Sequence, residues 1–124
     1  MKGSVDSEKR EAKRIPVVLK ARCRIGNRFV RESIGNLSAG GLYLQTREPV
    51  KEGTQVRVAL ALPGGDAPKI CTLVGTVARV DRDEHGAQRG LGISFAPDQI
   101  SVLDRVNLRR FIALNADALV EVAI

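Results

Sequence analysis

The stretch VVLKARCRIGN, Val17–Asn27, decides how this chain is read. Val17, Leu19, Ala21, Cys23 and Ile25 share one parity, and Lys20, Arg22 and Arg24 share the other. Successive side chains of a strand point to opposite faces, so this alternation predicts a half-buried β-strand over 17–25. Gly26-Asn27 follows where the chain has to reverse, and glycine tolerates the positive φ of a tight hairpin turn. Arg28 to Ile34 is the expected antiparallel partner.

The same reading extends along the chain. Gly35 to Gly41 reads as a loop and Leu42 to Thr46 as a short strand. Thr54, Val56, Val58 and Leu60 alternate with Gln55, Arg57 and Ala59. Pro63-Gly64-Gly65-Asp66 then breaks the chain. Lys69 to Val80 is a long β-rich run, expected to set Val74, Thr76, Ala78 and Val80 on one face, with Gly75 a candidate bulge. Asp81 to Arg89 reads as a charged loop. Leu91, Ile93 and Phe95 then alternate with Gly90, Gly92 and Ser94.

Past Phe95 the period changes. Pro97-Asp98 is a helix-start signal. Ile100, Leu103, Phe111 and Leu114, widened by Val106, form an apolar stripe that Asp104 and Asn107 interrupt. Residues 116–124 either extend the helix or pack separately. Six short strands and one helix predict an all-β fold, an antiparallel meander or barrel with a C-terminal α-helix. Closure into a barrel would remove exposed edges. Residues 1–15 are polar and aperiodic, expected as a flexible basic N-terminal segment ahead of a folded unit at 16–124.

At 124 residues one domain is the default. Phe29, Tyr43, Phe95 and Phe111 are the only aromatic residues, so the core has to be aliphatic. The net charge of +6 favours an anionic partner, although acidic residues are mixed among the basic ones. Cys23 and Cys71 sit in apolar runs, which favours buried free thiols over a disulfide. No apolar run approaches the ~20 residues of a membrane helix, and the N-terminus lacks a signal peptide's apolar segment. A soluble cytoplasmic protein without membrane insertion is expected.

Catalysis finds little support. His85 is the only histidine and lies in the charged loop. Zinc sites need Cys and His pairs that are absent, and the Asp spacing lacks the pattern of a calcium loop. Ser38 has no evident base, and LPGGDAPK is not a phosphate-binding P-loop. No enzyme activity, catalytic residue, cofactor or metal is expected.

Two short constellations carry the functional reading. Arg10 and Arg14 stand four apart, two guanidinium forks suited to phosphate or a guanine edge. Asn36, Ser38 and Gly41 offer an amide, a hydroxyl and bare backbone. Each alone has a plainer reading, as a solvated basic tail or as a side-chain-stabilised turn. Arg22 and Arg24 either border such a site or line a solvated strand face.

The ordered pair resembles the PilZ domain family. Arg10 to Arg14 matches its RxxxR motif, and Asn36 to Gly41 matches [D/N]xSxxG. GLGISF (Gly90 to Phe95) and the closing helix are also similar, so the resemblance spans roughly residues 8 to 115. It implies a six-stranded antiparallel β-barrel and a bacterial second-messenger receptor with cyclic di-GMP as its regulatory ligand. Arg10 and Arg14 would contact phosphates and guanines, Asn36 a guanine edge, and Ser38 base or phosphate. Gly41 would keep the approach open, and Lys9 would add a phosphate contact or influence how many ligand molecules stack. One bound nucleotide and a stacked pair both remain open, as do monomer and dimer.

Binding would order the tail and signal to a downstream protein effector. The alternatives are a nucleotide-independent PilZ-like adaptor acting through protein contacts and a nucleic-acid-binding protein. The scarcity of aromatic stacking platforms weighs against the last.

Overall fold

The structure is a computed structural model that describes residues 14–64 and 66–123, with side chains through Asn115. Six strands run in chain order: β1 (Ile15–Ile25), β2 (Arg28–Leu37), β3 (Gly41–Gln45), β4 (Gln55–Leu62), β5 (Lys69–Arg82) and β6 (Gln88–Phe95). A 3₁₀ turn, Pro97–Gln99, leads to helix α1 (Val102–Ala123). The strands close into a barrel in the order β1-β2-β3-β6-β5-β4, and β4 pairs back onto β1. Every pairing is antiparallel, and closure leaves no strand edge open.

The alternation of β1 survives in three dimensions. Ile15, Val17, Ala21, Cys23 and Ile25 are buried, while Val18, Lys20, Arg22 and Arg24 are exposed. The opposing walls contribute Ile34, Leu42, Leu44, Val56, Val58, Leu73 and Leu91, all at most 1% exposed. The barrel interior is thus a packed aliphatic core. Burial of that area is the main stabilising term of the fold. Gly26 takes the positive φ of the β1–β2 turn at 62°.

The structure departs from the sequence reading at four places. The strand boundaries move outward: β1 starts at Ile15, β2 runs on through Asn36 to Leu37, and β3 starts at Gly41. The expected loop at 35–41 shrinks to three residues because a register shift between Ile34 and Asn36 keeps β2 paired past Gly35. The charged loop shortens likewise, to 83–87.

Strand β5 buries the parity of Cys71, and Val74 with it: Cys71, Leu73, Val74, Gly75 and Val77 are buried, while Thr76 and Ala78 are exposed. Apolar residues occupy both parities of this run, so periodicity alone does not phase it. Gly75 is no bulge against β4, where the ladder runs unbroken. A Cβ there would stand 2.3 Å from the Ser94 carbonyl oxygen, so close approach of β6 demands glycine. The irregularity in β5 lies instead between Val77 and Arg79.

The helix begins later and faces differently. Ser101 caps it, its Oγ accepting from the Asp104 N–H at 3.0 Å. Ile100 is buried just before the helix in extended backbone. Leu108 and Phe111 then face the barrel, while Leu103, Val106 and Leu114 are exposed. Asp104, expected to interrupt the stripe, points to the sheet. Its Oδ2 accepts from the Thr72 N–H at 3.3 Å, and its carbonyl accepts from the Cys71 thiol at 3.5 Å. Hydrogen bonding to β5 therefore sets the helix phase that hydrophobicity alone misplaced. Of the two readings of 116–124, extension of the helix is the one observed, through Ala123.

Candidate ligand-binding site

Pairing of the first residues of β1 with the last of β2 builds the site. Ile15 stands opposite Leu37 and Pro16 opposite Asn36. Arg14 immediately precedes β1 and so arrives beside Asn36. Its Nη1 donates to Asn36 Oδ1 at 2.7 Å, across 22 residues of chain. One residue from each sequence motif is thereby joined in an exposed hydrogen bond. Arg10 and Lys9, the other basic residues expected here, lie outside the described residues.

Two residues on, the same motif turns inward. Ser38 is 2% exposed. Its Oγ accepts from the N–H groups of Gly40 at 3.2 Å and Gly41 at 3.1 Å, and lies 3.2 Å from the Gly41 carbonyl to which it donates. The Ser38 N–H also donates to that carbonyl, at 2.9 Å. The hydroxyl is thus fully used in closing the β2–β3 corner. Gly41 has an equally local reason: a Cβ there would stand 2.2 Å from the Ile93 carbonyl oxygen. The corner is pinned to β6 as well, because the Phe95 N–H donates to the Gly40 carbonyl at 2.9 Å.

Beside Asn36 the barrel wall forms a shelf that motif reading missed. Asn36 pairs with Tyr43, Tyr43 with Gly92, and Gly92 with Arg79, one row across β2, β3, β6 and β5. Gly92 has no side chain, and Arg79 lies over it: a Cβ on Gly92 would be 3.2 Å from Arg79 Cγ and 3.3 Å from its Nη1. A Cβ on Gly90 would strike the Tyr43 ring at 2.5 Å, so the ring lies across that glycine. Tyr43 Oη donates to Asp81 Oδ2 at 2.6 Å, and Arg89 Nη2 donates to the same oxygen at 3.3 Å. The sequence signal was Gly90 and Gly92 on one face of a strand whose other face is Leu91 and Ile93. Two glycines at that spacing leave a strip of wall without side chains.

The electrostatics follow from these contacts. The Tyr43 hydroxyl beside it, then Arg89 and Arg79, hold the Asp81 carboxyl below the usual carboxylate range. Burial, then the bond to Asp81, pushes the Tyr43 phenol up. Cys23 and Cys71 are buried and unpaired with each other. Burial, then Glu32, pushes the Cys23 thiol up to about 11; burial, then Asp104, pushes Cys71 up to about 12. Both remain neutral thiols inside the barrel at pH 7. Among the described residues there is no group of three or more His, Cys, Asp or Glu side chains placed to hold a metal, and no helix long and apolar enough to cross a membrane.

The PilZ domain family model matches residues 8–114. No curated protein sequence matches the chain. The solved structures similar to it in fold include the following two. One is the Bacillus subtilis inhibitor of motility MotI/DgrA, with TM-score 0.72 and 19% identity over 83% of this chain; this chain spans only about half, 49%, of that one. The other is the PilZ domain of YcgR from Escherichia coli, determined with c-di-GMP. It superposes with TM-score 0.65 and 16% identity over 93% of this chain and 98% of its own.

Proposed function

The chain belongs to the PilZ domain family, matched from residue 8 to residue 114, and on that footing we propose that it is a bacterial receptor for cyclic di-GMP. The observation that carries this reading is the 2.7 Å hydrogen bond from Arg14 to Asn36, which brings one residue of each motif to a common point on the barrel surface. A cyclic dinucleotide presents two phosphodiester anions and two guanine edges. Arg10 and Arg14 supply planar donor forks for the phosphates and guanine acceptors, and Lys9 adds a further cation. Asn36 exchanges its bond to Arg14 for a guanine edge, because an amide donates and accepts in the plane. Ser38 and Gly41 serve by holding the corner that presents Asn36 and the nearby backbone. Tyr43, Gly92 and Arg79 extend the surface on which a planar base can lie, with Arg79 placed for stacking.

The proposed activity is binding, not catalysis. The nucleotide orders the basic N-terminal segment against the barrel, and the ordered segment becomes a surface that a downstream protein reads. The ordering entropy lowers affinity and keeps the signal reversible.

Isothermal titration of the full chain with cyclic di-GMP at ~150 mM salt, where long-range attraction is screened, tests this. Saturable heat at micromolar or tighter affinity is expected, and its stoichiometry separates one ligand from a stacked pair. Folded protein that gives no heat would leave a nucleotide-independent adaptor as the reading.

A further inference from the structure

The outer face of the β2-β1-β4 wall carries a second charged surface, at the other end of the same hairpin. Arg22 stands opposite Arg31 in β2 and Ala59 in β4. Arg24 stands opposite Phe29 in β2 and Arg57 in β4. These two rows line an open groove of about 400 Å³. It continues into one of about 440 Å³ that reaches Lys20, Ala61 and Ile70. Arg22 lies eight residues along β1 from Arg14, roughly 26 Å at the rise of a strand, so this surface is separate from the Asn36 corner.

Two features set this face apart from an ordinary solvated one. The first is charge. Like charges directly opposite on neighbouring strands destabilise a sheet, and here Arg22 faces Arg31 and Arg24 faces Arg57. Among the described residues, ion pairs form at Arg28–Glu48, His85–Glu84 and Arg89–Asp81, and none includes Lys20, Arg22, Arg24, Arg31 or Arg57. The second is apolar exposure. Phe29 is 79% exposed and Val18 91% on this wall, and Ile70, 69% exposed, stands beside Ala61 on the adjoining strand β5.

We propose that this face docks an acidic protein segment carrying aliphatic or aromatic anchor residues. The guanidinium rim pairs with carboxylates two oxygens at a time. The groove floor, made of Ala59 and the arginine stems, accepts the anchors beside Phe29 and Ile70. Arginine and phenylalanine are enriched at the centres of protein interfaces for these reasons. A nucleic-acid strand fits less well. Successive bases need successive flat faces, whereas Val18 and Ile70 are aliphatic and the Phe29 ring already lies under the Arg24 guanidinium, 5.8 Å from its centroid. The proposal does not depend on cyclic di-GMP binding.

The test uses fluorescence anisotropy of the full chain with a labelled peptide of three Glu-Leu-Glu-Phe repeats. A Glu-Ser-Glu-Ser peptide and an oligothymidine strand serve as comparisons. The anchored acidic peptide is expected to bind most tightly. Its affinity should fall roughly tenfold in Arg22→Ala/Arg57→Ala and by a smaller factor in Phe29→Ala. Charge reversal in Arg22→Glu/Arg57→Glu should transfer binding to a Lys-Leu-Lys-Phe repeat, a gain that mere loss of folding does not produce. Titration with cyclic di-GMP should be unchanged in these variants. Peptide binding that ignores all the substitutions, or an absence of peptide binding, overturns the proposal. Tighter binding of oligothymidine, lost in the same variants, also overturns it in favour of nucleic acid.

Discussion

Two neighbouring regions of the barrel carry the two halves of one motif and are built differently. At the β2–β3 corner the polar side chain is spent inside the protein: Ser38 is buried and bonded to Gly40 and Gly41, and Gly41 lies against the β6 backbone. At the β1 entrance Arg14 meets Asn36 through one exposed hydrogen bond. An exposed bond of this kind contributes little to stability, because water competes for both partners. The corner is therefore a fixed support and the entrance an exchangeable contact. A motif such as NxSxxG mixes both roles within six residues, and sequence spacing does not separate them.

The comparison breaks most visibly at Gly41. Gly41→Ala places a methyl group 2.2 Å from the Ile93 carbonyl oxygen, so β3 and β6 have to separate. A loss of about 3 kcal/mol is expected, at the upper end of the overpacking range. Thermal unfolding should fall by roughly 10 °C for a domain of this size. A melting temperature within ~2 °C of the parent would mean that the corner yields, and that it is no fixed support.

Arg14→Ala should show the reverse pattern. The proposed phosphate or guanine contact is a charge-assisted hydrogen bond, so affinity for cyclic di-GMP should fall by roughly tenfold to a hundredfold. Stability should stay within about 0.5 kcal/mol, as for exposed surface sites. Titration calorimetry and urea unfolding on the same preparation read the two effects separately. Retained affinity with intact folding would remove Arg14 from the site.

Ser38→Ala sharpens the boundary between the regions. The N–H groups of Gly40 and Gly41 lose their shared acceptor, which costs about 1–2 kcal/mol of stability when the groups cannot all reach water. Nucleotide affinity should change by less than about threefold once the protein is folded, since the hydroxyl already points into the corner. An affinity loss beyond tenfold at near-parental stability would show that Ser38 turns outward to meet the ligand.

Much of the barrel was legible because β1 and β4 each keep one parity apolar. Val17 to Ile25 and Val56 to Leu60 alternate without exception or nearly so, and alternation maps directly onto inside and outside. Where the signal was degenerate the reading slipped. Both parities of β5 are apolar, so Val74 and Val77 are buried on the strength of their neighbours. The helix phase was set by Asp104 accepting from Thr72, a polar contact to another element that no helical wheel contains. At the candidate site, residue types at fixed spacing singled out Arg14 and Asn36, which the fold brings into hydrogen-bond contact. The Tyr43–Gly92–Arg79 shelf was invisible for a physical reason: its members come from three strands and meet only through the register of the closed sheet.

That shelf supports the smallest of the expected effects. Asp81 is held below its ordinary pKa by the Tyr43 hydroxyl first, then by Arg89 and Arg79. Its folded-state pKa is therefore lower than its unfolded value of about 3.9. Above that value both states are ionised and the stabilisation is fully present. As the pH falls toward the folded pKa, the unfolded chain takes up the proton first, so unfolding is favoured and the stabilisation is lost. Asp81→Asn removes this titration while leaving an oxygen for Tyr43. Parent and variant should therefore differ in thermal stability at pH ~6 and converge as the pH drops below ~4 and on through the folded-state pKa. Because Asp81 and Arg89 sit at the surface, salt should narrow the difference at pH ~6 too. A gap that stays constant across this range would mean that Asp81 matters by shape alone. Tyr43 would then be held over Gly90 by packing alone, and the shelf beside the exchangeable Asn36 would be as rigid as the Ser38 corner.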